Sequence, residues 1–390
     1  MRSSTRRTIL WALALVAALS LVGVAYLGGD VESEDADPPA SAGPEVPGDP
    51  GEGCGDAATT DPADLGAGRT LARCGTGAPA PQPLPRPAVV RVAVPERSES
   101  TAPVLLADAT GEFDAENLDV ELVDLSQADA YAAMATGDVD VVVAGIDAPF
   151  LDAVHGGLEA RLVLGGPVAR APGDLETAQA GLWLRSDLIS DDGEWDNVEG
   201  QNVLVSGGLG SGALYPIDMT LSQEDLGVNA VHFVAAPADV AAARLQNAEV
   251  GAAWLSEPAA TRVAGDEALT LVATLPGSES VEGAVFSPRL VGADRAAGLA
   301  VIRAIIRTIN THLADGYDDE AVSALAEALD APEDELTAGP APLFDWEVRS
   351  GVTTRIQDAL VEAGGVGYER PIGEGRLVDR TLYTDAVTGG

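Results

Sequence analysis

The chain has 390 residues and a formal net charge of −40, and its 22 basic residues are all arginine. So acidic a surface cannot neutralise a run of phosphates, which excludes nucleic acid as a partner. Hydrophobic residues make up 46% and aromatics only 4%, so the length predicts two lobes with appendages, built on Ala, Val and Leu cores.

Residues 1–8 carry Arg2, Arg6 and Arg7, and residues 9–29 that follow carry no charge. Roughly 20 residues at 1.5 Å rise span a bilayer core of about 30 Å. The basic flank and the acids Asp30, Glu32, Glu34 and Asp35 beyond it predict a single-pass anchor, with residues 1–8 cytoplasmic and the body outside. The alternative is a signal segment whose cleavage leaves a secreted protein; the run ends Val24-Ala-Tyr-Leu-Gly-Gly29, a poor cleavage site. Residues 30–87 are rich in Pro, Gly, Ala and acid, a composition that predicts a disordered tether. Cys54 and Cys74 lie in it without CxxC spacing or a nearby His, which gives no metal site. Outside the cell they suit a disulfide; two free thiols are the alternative.

The body opens with a strand at residues 89–94, a loop over 95–101 and a helix over 102–110. Strands over 118–123, 139–144 and 161–164 alternate with helices over 128–136 and from Asp147 onward. This βαβα order predicts an α/β protein with a parallel sheet covered on both faces. A short strand at 182–184 and an acidic excursion over 186–200 precede the second lobe. There Val203–Val205 reads as a buried strand running into Gly207, Gly208, Gly210 and Ser211, then a helix. Ser211 suits a helix cap, and a helix start with free N–H groups suits a carboxylate, sulfonate or phosphate-like group. The glycine spacing matches neither nucleotide-binding fingerprint. Further strands are expected at 231–235, 250–255 and 269–275, the last returning the chain to the first lobe. Helices at 294–313, 318–329, 332–338 and 352–363 close the sequence. Hence the expected division: first lobe over 88–185, second over 186–268, return to the first lobe and C-terminal helices over 269–390.

A weak internal repeat supports two similar lobes. Ala128-Asp-Ala-Tyr-Ala-Ala133, a strand and Asp147-Ala-Pro149 resemble Ala238-Asp-Val-Ala-Ala-Ala243, a strand and Glu257-Pro258. In open α/β sheets, ligands bind beyond the carboxyl ends of strands. Four such ends are legible: 95–101, 145–148, 206–211 and 256–258. They supply the candidate ligand-binding residues Ser98, Ser100, Thr101, Gly145, Ile146, Asp147, Gly207, Gly208, Gly210, Ser211, Tyr215, Trp254 and Glu257. Asp147 and Glu257 also read as N-caps before Pro149 and Pro258. If Glu96, Asp147 and Glu257 all faced the cleft, a cationic or amine-bearing ligand would fit better than a sulfonate. Trp183 and Trp254 could stack on a planar ligand. His155, His232 and His312 are scattered and have no catalytic partners, so no enzyme and no cofactor are expected.

Leu106-Ala-Asp-Ala-Thr-Gly-Glu-Phe113 followed by Leu118-Asp-Val-Glu-Leu-Val123 resembles a signature of ABC-importer solute-binding proteins for nitrate, sulfonate, taurine and thiamine-pyrimidine precursors. Met134-Ala-Thr-Gly-Asp-Val-Asp140 and Ala253-Trp-Leu-Ser-Glu-Pro258 resemble two later steps of the same family. Asp318-Asp-Glu and Pro340-Ala-Pro-Leu-Phe-Asp-Trp346 resemble its C-terminal helices. The resemblance spans roughly 89–387. It implies a two-lobed periplasmic-binding-protein (type II) fold with two crossovers and an interlobe cleft. It further implies a monomer that closes over a small polar or anionic solute and delivers it to an ABC permease. A ligand-binding sensor ectodomain, or an enzyme of cofactor biosynthesis on the same fold, are the alternatives.

Overall fold

A computed structural model describes residues 44–45, 53–66, 68–169, 180–190, 193, 195, 197–339 and 341–389. The expected membrane anchor or signal at 9–29, the expected cytoplasmic residues 1–8 and residues 30–43, 46–52 and 67 of the expected tether lie outside them. Among the described residues no helix is long and apolar enough to cross a membrane.

In chain order the first half runs β1 (Ala88–Ala93), α1 (Ala102–Ala109), α2 (Glu112–Ala115), β2 (Leu118–Val123), α3 (Gln127–Thr136), β3 (Val141–Gly145), α4 (Ala148–His155), β4 (Arg161–Gly165), β5 (Pro167–Val168) and β6 (Gly181–Arg185). It continues with β7 (Asn202–Val205), α5 (Leu214–Gln223), β8 (His232–Ala235), α6 (Ala238–Gln246), β9 (Ala252–Leu255), α7 (Ala259–Val263), β10 (Leu269–Thr274) and β11 (Glu282–Phe286). The C-terminal part is α8 (Arg295–His312), α9 (Asp319–Leu329), α10 (Glu333–Ala338), β12 (Leu343–Phe344), α11 (Val352–Ala363) and α12 (Thr381–Thr388). Local signals explain many boundaries. Ser126 accepts the Asp129 N–H to start α3, and Gly137, at φ 84°, ends it in the left-handed conformation that an L side chain resists.

Two five-stranded sheets form the lobes, in the orders β2-β1-β3-β11-β4 and β10-β6-β9-β7-β8. Their pairings correspond one for one. β1 runs parallel to β2 and β3 as β7 does to β8 and β9, while β11 is antiparallel to both its neighbours, β3 and β4, as β6 is to β9 and β10. The sheets are therefore mixed, not parallel. In each, a strand that crosses from the other lobe (β11 in the first, β6 in the second) lies beside the strand that carries the repeat.

This exchange corrects the expected lobe limits. Strand β6 belongs to the second sheet, and β10 does not return the chain to the first lobe but forms the second sheet's edge, antiparallel to β6. The return is made by β11, which pairs with β3 and β4. Hydrophobic periodicity reveals a strand but not its partner, so both strands went to the wrong lobe. The C-terminal helices also divide. α12 packs on α8, while α11 packs on α5 with Val352, Ile356 and Leu360 in the same core as Ile217 and Leu221.

A second correction concerns residues 53–66 and 68–87. They are not a tether but a folded strap on the first lobe. Ala58, Leu71, Ala72, Cys74 and Ala78 are buried, and Cys54 and Cys74 are disulfide-bonded. Arg69 is buried against Asp345 at 2.6 Å and donates to the Ser278 carbonyl; Thr60 donates its N–H to Glu347. The Arg349 guanidinium holds Asp345, Glu347 and the strap's Thr60 together. On α8, Asn310 binds the backbone of Cys74 and Ala78, and Arg307 that of Pro79. The strap buries few large apolar side chains, and the charged partners of Thr60 and Arg69 lie more than 200 residues away, so composition alone reads as disorder.

Candidate functional site

The loops after β1, β3 and β7 and the start of β11 enclose a cavity of about 370 Å³ between the lobes. That is room for a small solute, about a dozen waters' worth at ~30 Å³ each. Of the residues singled out in the sequence, Ser98, Ser100, Thr101, Gly145, Asp147, Gly207, Ser211 and Trp254 line it. Ile146, Gly208, Gly210, Tyr215 and Glu257 do not.

Those five are absorbed by the fold. Ile146 is buried in the apolar core, and its N–H bonds the Val281 carbonyl. The Tyr215 hydroxyl donates to Glu279 at 2.6 Å, and Glu279 pairs with Arg355 of α11. Glu257 accepts the Thr261 N–H at 2.9 Å, so it serves the start of α7. Gly208 is packed against Ala235, where an added Cβ would come within 3.2 Å. Gly210 faces the other lobe, where an added Cβ would stand 3.0 Å from the Ala148 Cβ. The glycines of this turn thus let the lobes approach.

The expected anion cradle at the head of α5 is already filled. The Asp147 carboxylate crosses the cleft and accepts the Gly212 N–H at 2.6 Å. It therefore does not cap its own helix, α4, where no side-chain cap forms. A Cβ on Gly212 would stand 2.8 Å from the Ile146 carbonyl, so glycine is required for this approach. Beside it Ser206, on the second lobe, donates to Glu96 of the first at 2.5 Å. Ser211 accepts the Ala213 N–H at 3.3 Å, and Ser98 and Thr101 bond each other at the entry to α1.

Glu96 also lines the cavity. Polar lining residues that the sequence did not single out include Gln127 and, above all, Glu282, while Ser206 and Ser256 lie on two of the strand ends it located. Glu282 opens β11 and accepts the Ser100 hydroxyl at 3.3 Å. Its place depends on the return of the chain after the whole second lobe, which no local pattern encodes. Three carboxylates therefore line one space, and no Arg or His is among the described residues lining it. Nor does any of the three form a salt bridge among the described residues. Burial raises the pKa of Asp147 to about 7, with Glu96 adding to the rise and the Gly212 N–H opposing it. Burial likewise raises Glu282 to about 7, reinforced by Glu96 and Asp147. Outside the lining, burial lifts Glu99 to about 8, with its bond to Tyr317 opposing the rise. A positive charge beside such carboxyls would favour their ionised form.

The other candidates lie elsewhere. Trp183 is buried in the second lobe's core, and His155 stacks on Tyr368 at 4.8 Å between ring centroids. His312 bonds Asp318 at 2.8 Å, and His232 is exposed on β8. Trp254 contributes to the cavity wall while remaining 8% exposed.

No family model and no curated protein matches the sequence. Solved structures do. The alkanesulfonate-binding protein SsuA from Xanthomonas axonopodis pv. citri, bound to MOPS, is similar over 76% of this chain and 100% of its own, with a TM-score of 0.57 and 16% identity. The periplasmic aliphatic sulphonate binding protein SsuA from Escherichia coli covers 75% of this chain and 92% of its own, at TM-score 0.54 and 14% identity. The periplasmic nitrate-binding protein NrtA from Synechocystis PCC 6803 covers 77% and 88%, at TM-score 0.56 and 12% identity. The chain has the two-lobed α/β fold of these periplasmic binding proteins.

Proposed function

We propose that this chain is the extracytoplasmic solute-binding component of an ABC importer, and that its solute carries a positive charge. The observation that carries the ligand class is the trio Glu96, Asp147 and Glu282 around one interlobe cavity without a basic residue in its described lining. A cation placed there exchanges water for three carboxylates in a low-dielectric space, where the attraction is strongest. Trp254 adds an aromatic wall of the kind that suits an ammonium or guanidinium group. This sets aside the anionic half of the polar or anionic class expected from the resemblance. The helix start meant for an anion holds the Asp147 carboxylate, and a sulfonate or nitrate would meet three acidic groups and no basic one among the described lining residues.

The fold supports transport by cleft closure, with affinity set by the hinge equilibrium as well as by contacts. The liganded form would dock on a membrane permease, and no enzymatic role is assigned. The Cys54–Cys74 disulfide fits an oxidising, extracytoplasmic setting. Either reading of residues 9–29, anchor or cleaved signal, delivers the body there. A thermal-shift screen of alkylamines, guanidines and quaternary ammonium ions against taurine, alkanesulfonates and nitrate tests the assignment. Shifts confined to the cations are expected; shifts confined to the anions would reverse the ligand class.

A further inference from the structure

A second, smaller space of about 30 Å³ lies behind the main cavity, within the first lobe. Val104 of α1, Leu164 of β4, Ala284 of β11, Ile305 and Ile309 of α8, and Trp346 form its walls. Gly165 and Gly283 line it without side chains to fill it. Neither can be replaced at no cost: a Cβ on Gly283 would stand 2.3 Å from the Leu164 carbonyl oxygen. The chamber adjoins the cleft: Ser100, Val143, Ala144 and Glu282 line both. Glu282 is the acid of the trio at this boundary, so a group bound to its carboxylate has the chamber beside it.

We infer that the chamber is a subsite for a short alkyl arm of the solute whose charged head sits among Glu96, Asp147 and Glu282. The inference rests on the cationic reading of the cleft and narrows it to amines bearing a chain of two or three carbons. Charge and apolar walls meet at one residue, Glu282, so one molecule can satisfy both. The available volume, about one water's worth on the same measure, suits the terminal carbon group of a short arm. An apolar chamber of this size gains from filling, since each buried methylene contributes to affinity in proportion to the area removed from water.

Calorimetric titration of the full-length protein with methyl-, ethyl-, propyl-, butyl- and hexylamine, beside alkanesulfonates of the same lengths, tests both levels. Affinity should rise about fourfold per methylene up to propylamine and fall at hexylamine. Ala284→Leu, which places a larger side chain in the chamber, should flatten that rise. Amines that bind with no dependence on chain length, or with the same dependence in Ala284→Leu, overturn the subsite and leave the cationic head standing. If Ala284→Leu fails to fold, the wild-type series decides alone. Binding by sulfonates only overturns the cationic head, and their chain-length profile then decides the subsite. Binding by neither series overturns both.

Discussion

The carboxylate of Asp147, on the first lobe, takes the backbone N–H of Gly212, at the head of the second lobe's helix α5, at 2.6 Å. One hydrogen bond therefore does two things. It fills the helix terminus that would otherwise attract an anionic ligand. It also ties the lobes together beside the cavity, next to the Ser206–Glu96 bond.

The acids of the cleft should limit stability and supply affinity together. Asp147→Asn keeps an oxygen for the Gly212 N–H but loses the charge, and Glu282→Gln keeps the contact to Ser100. Each variant is expected to raise the unliganded Tm at pH 8 by a few degrees and to weaken binding of an alkylamine by at least about tenfold, as expected when a site's own charges are the strain. Scanning calorimetry and titration on the same samples check the pair of effects.

The pH dependence has a definite sign. Folding raises the pKa of Asp147 and Glu282 to about 7 and of Glu99 to about 8, above ordinary carboxylate values of about 4. The folded, unliganded protein then binds more protons than the unfolded chain between those limits. Its stability should be greatest at the acid end of that window and be lost as pH rises through 7 to 8. Affinity for a cation should move oppositely, increasing across the same range as the carboxylates ionise. Thermal unfolding and titrations at half-unit steps from pH 5 to 9 measure both trends.

The glycine turn should act through lobe approach. Gly210→Val places its side chain against Ala148, and Gly212→Ala places a Cβ 2.8 Å from the Ile146 carbonyl. Both variants should hold the lobes apart, seen as a larger radius of gyration by small-angle scattering and as weaker binding, with the secondary structure unchanged by circular dichroism.

The strap should be part of the stability of the body. Cys54→Ser with Cys74→Ser opens a loop closed across 20 residues, expected to cost about 3 kcal/mol. Arg69→Ala leaves Asp345 buried with Arg349 alone and should cost on the order of 3 kcal/mol. Urea unfolding of the two variants measures these losses.

Local patterns located much of the lining of the interlobe cavity. The loops after Val94, Ala144 and Val205 follow apolar strands and end in turn or capping residues, so their place at strand ends is legible in order. Asp147 was legible as a cap, but its true partner, Gly212, is 65 residues away. Glu282 was not legible, because only the pairing of β11 with β3 and β4 brings it to the cleft. The strap's Arg69 and Arg73 gave no signal either, since their partners at 344–345 lie at the far end of the chain.

The number of protons exchanged on binding tests the central claim most directly. Ethylamine, fully protonated near neutral pH, would be titrated into the protein at pH 7 in buffers of different ionisation enthalpy. A cleft whose carboxylates must ionise around the ligand predicts proton release with a measurable affinity. Absence of ethylamine binding, together with ethanesulfonate binding that takes up protons, would contradict it.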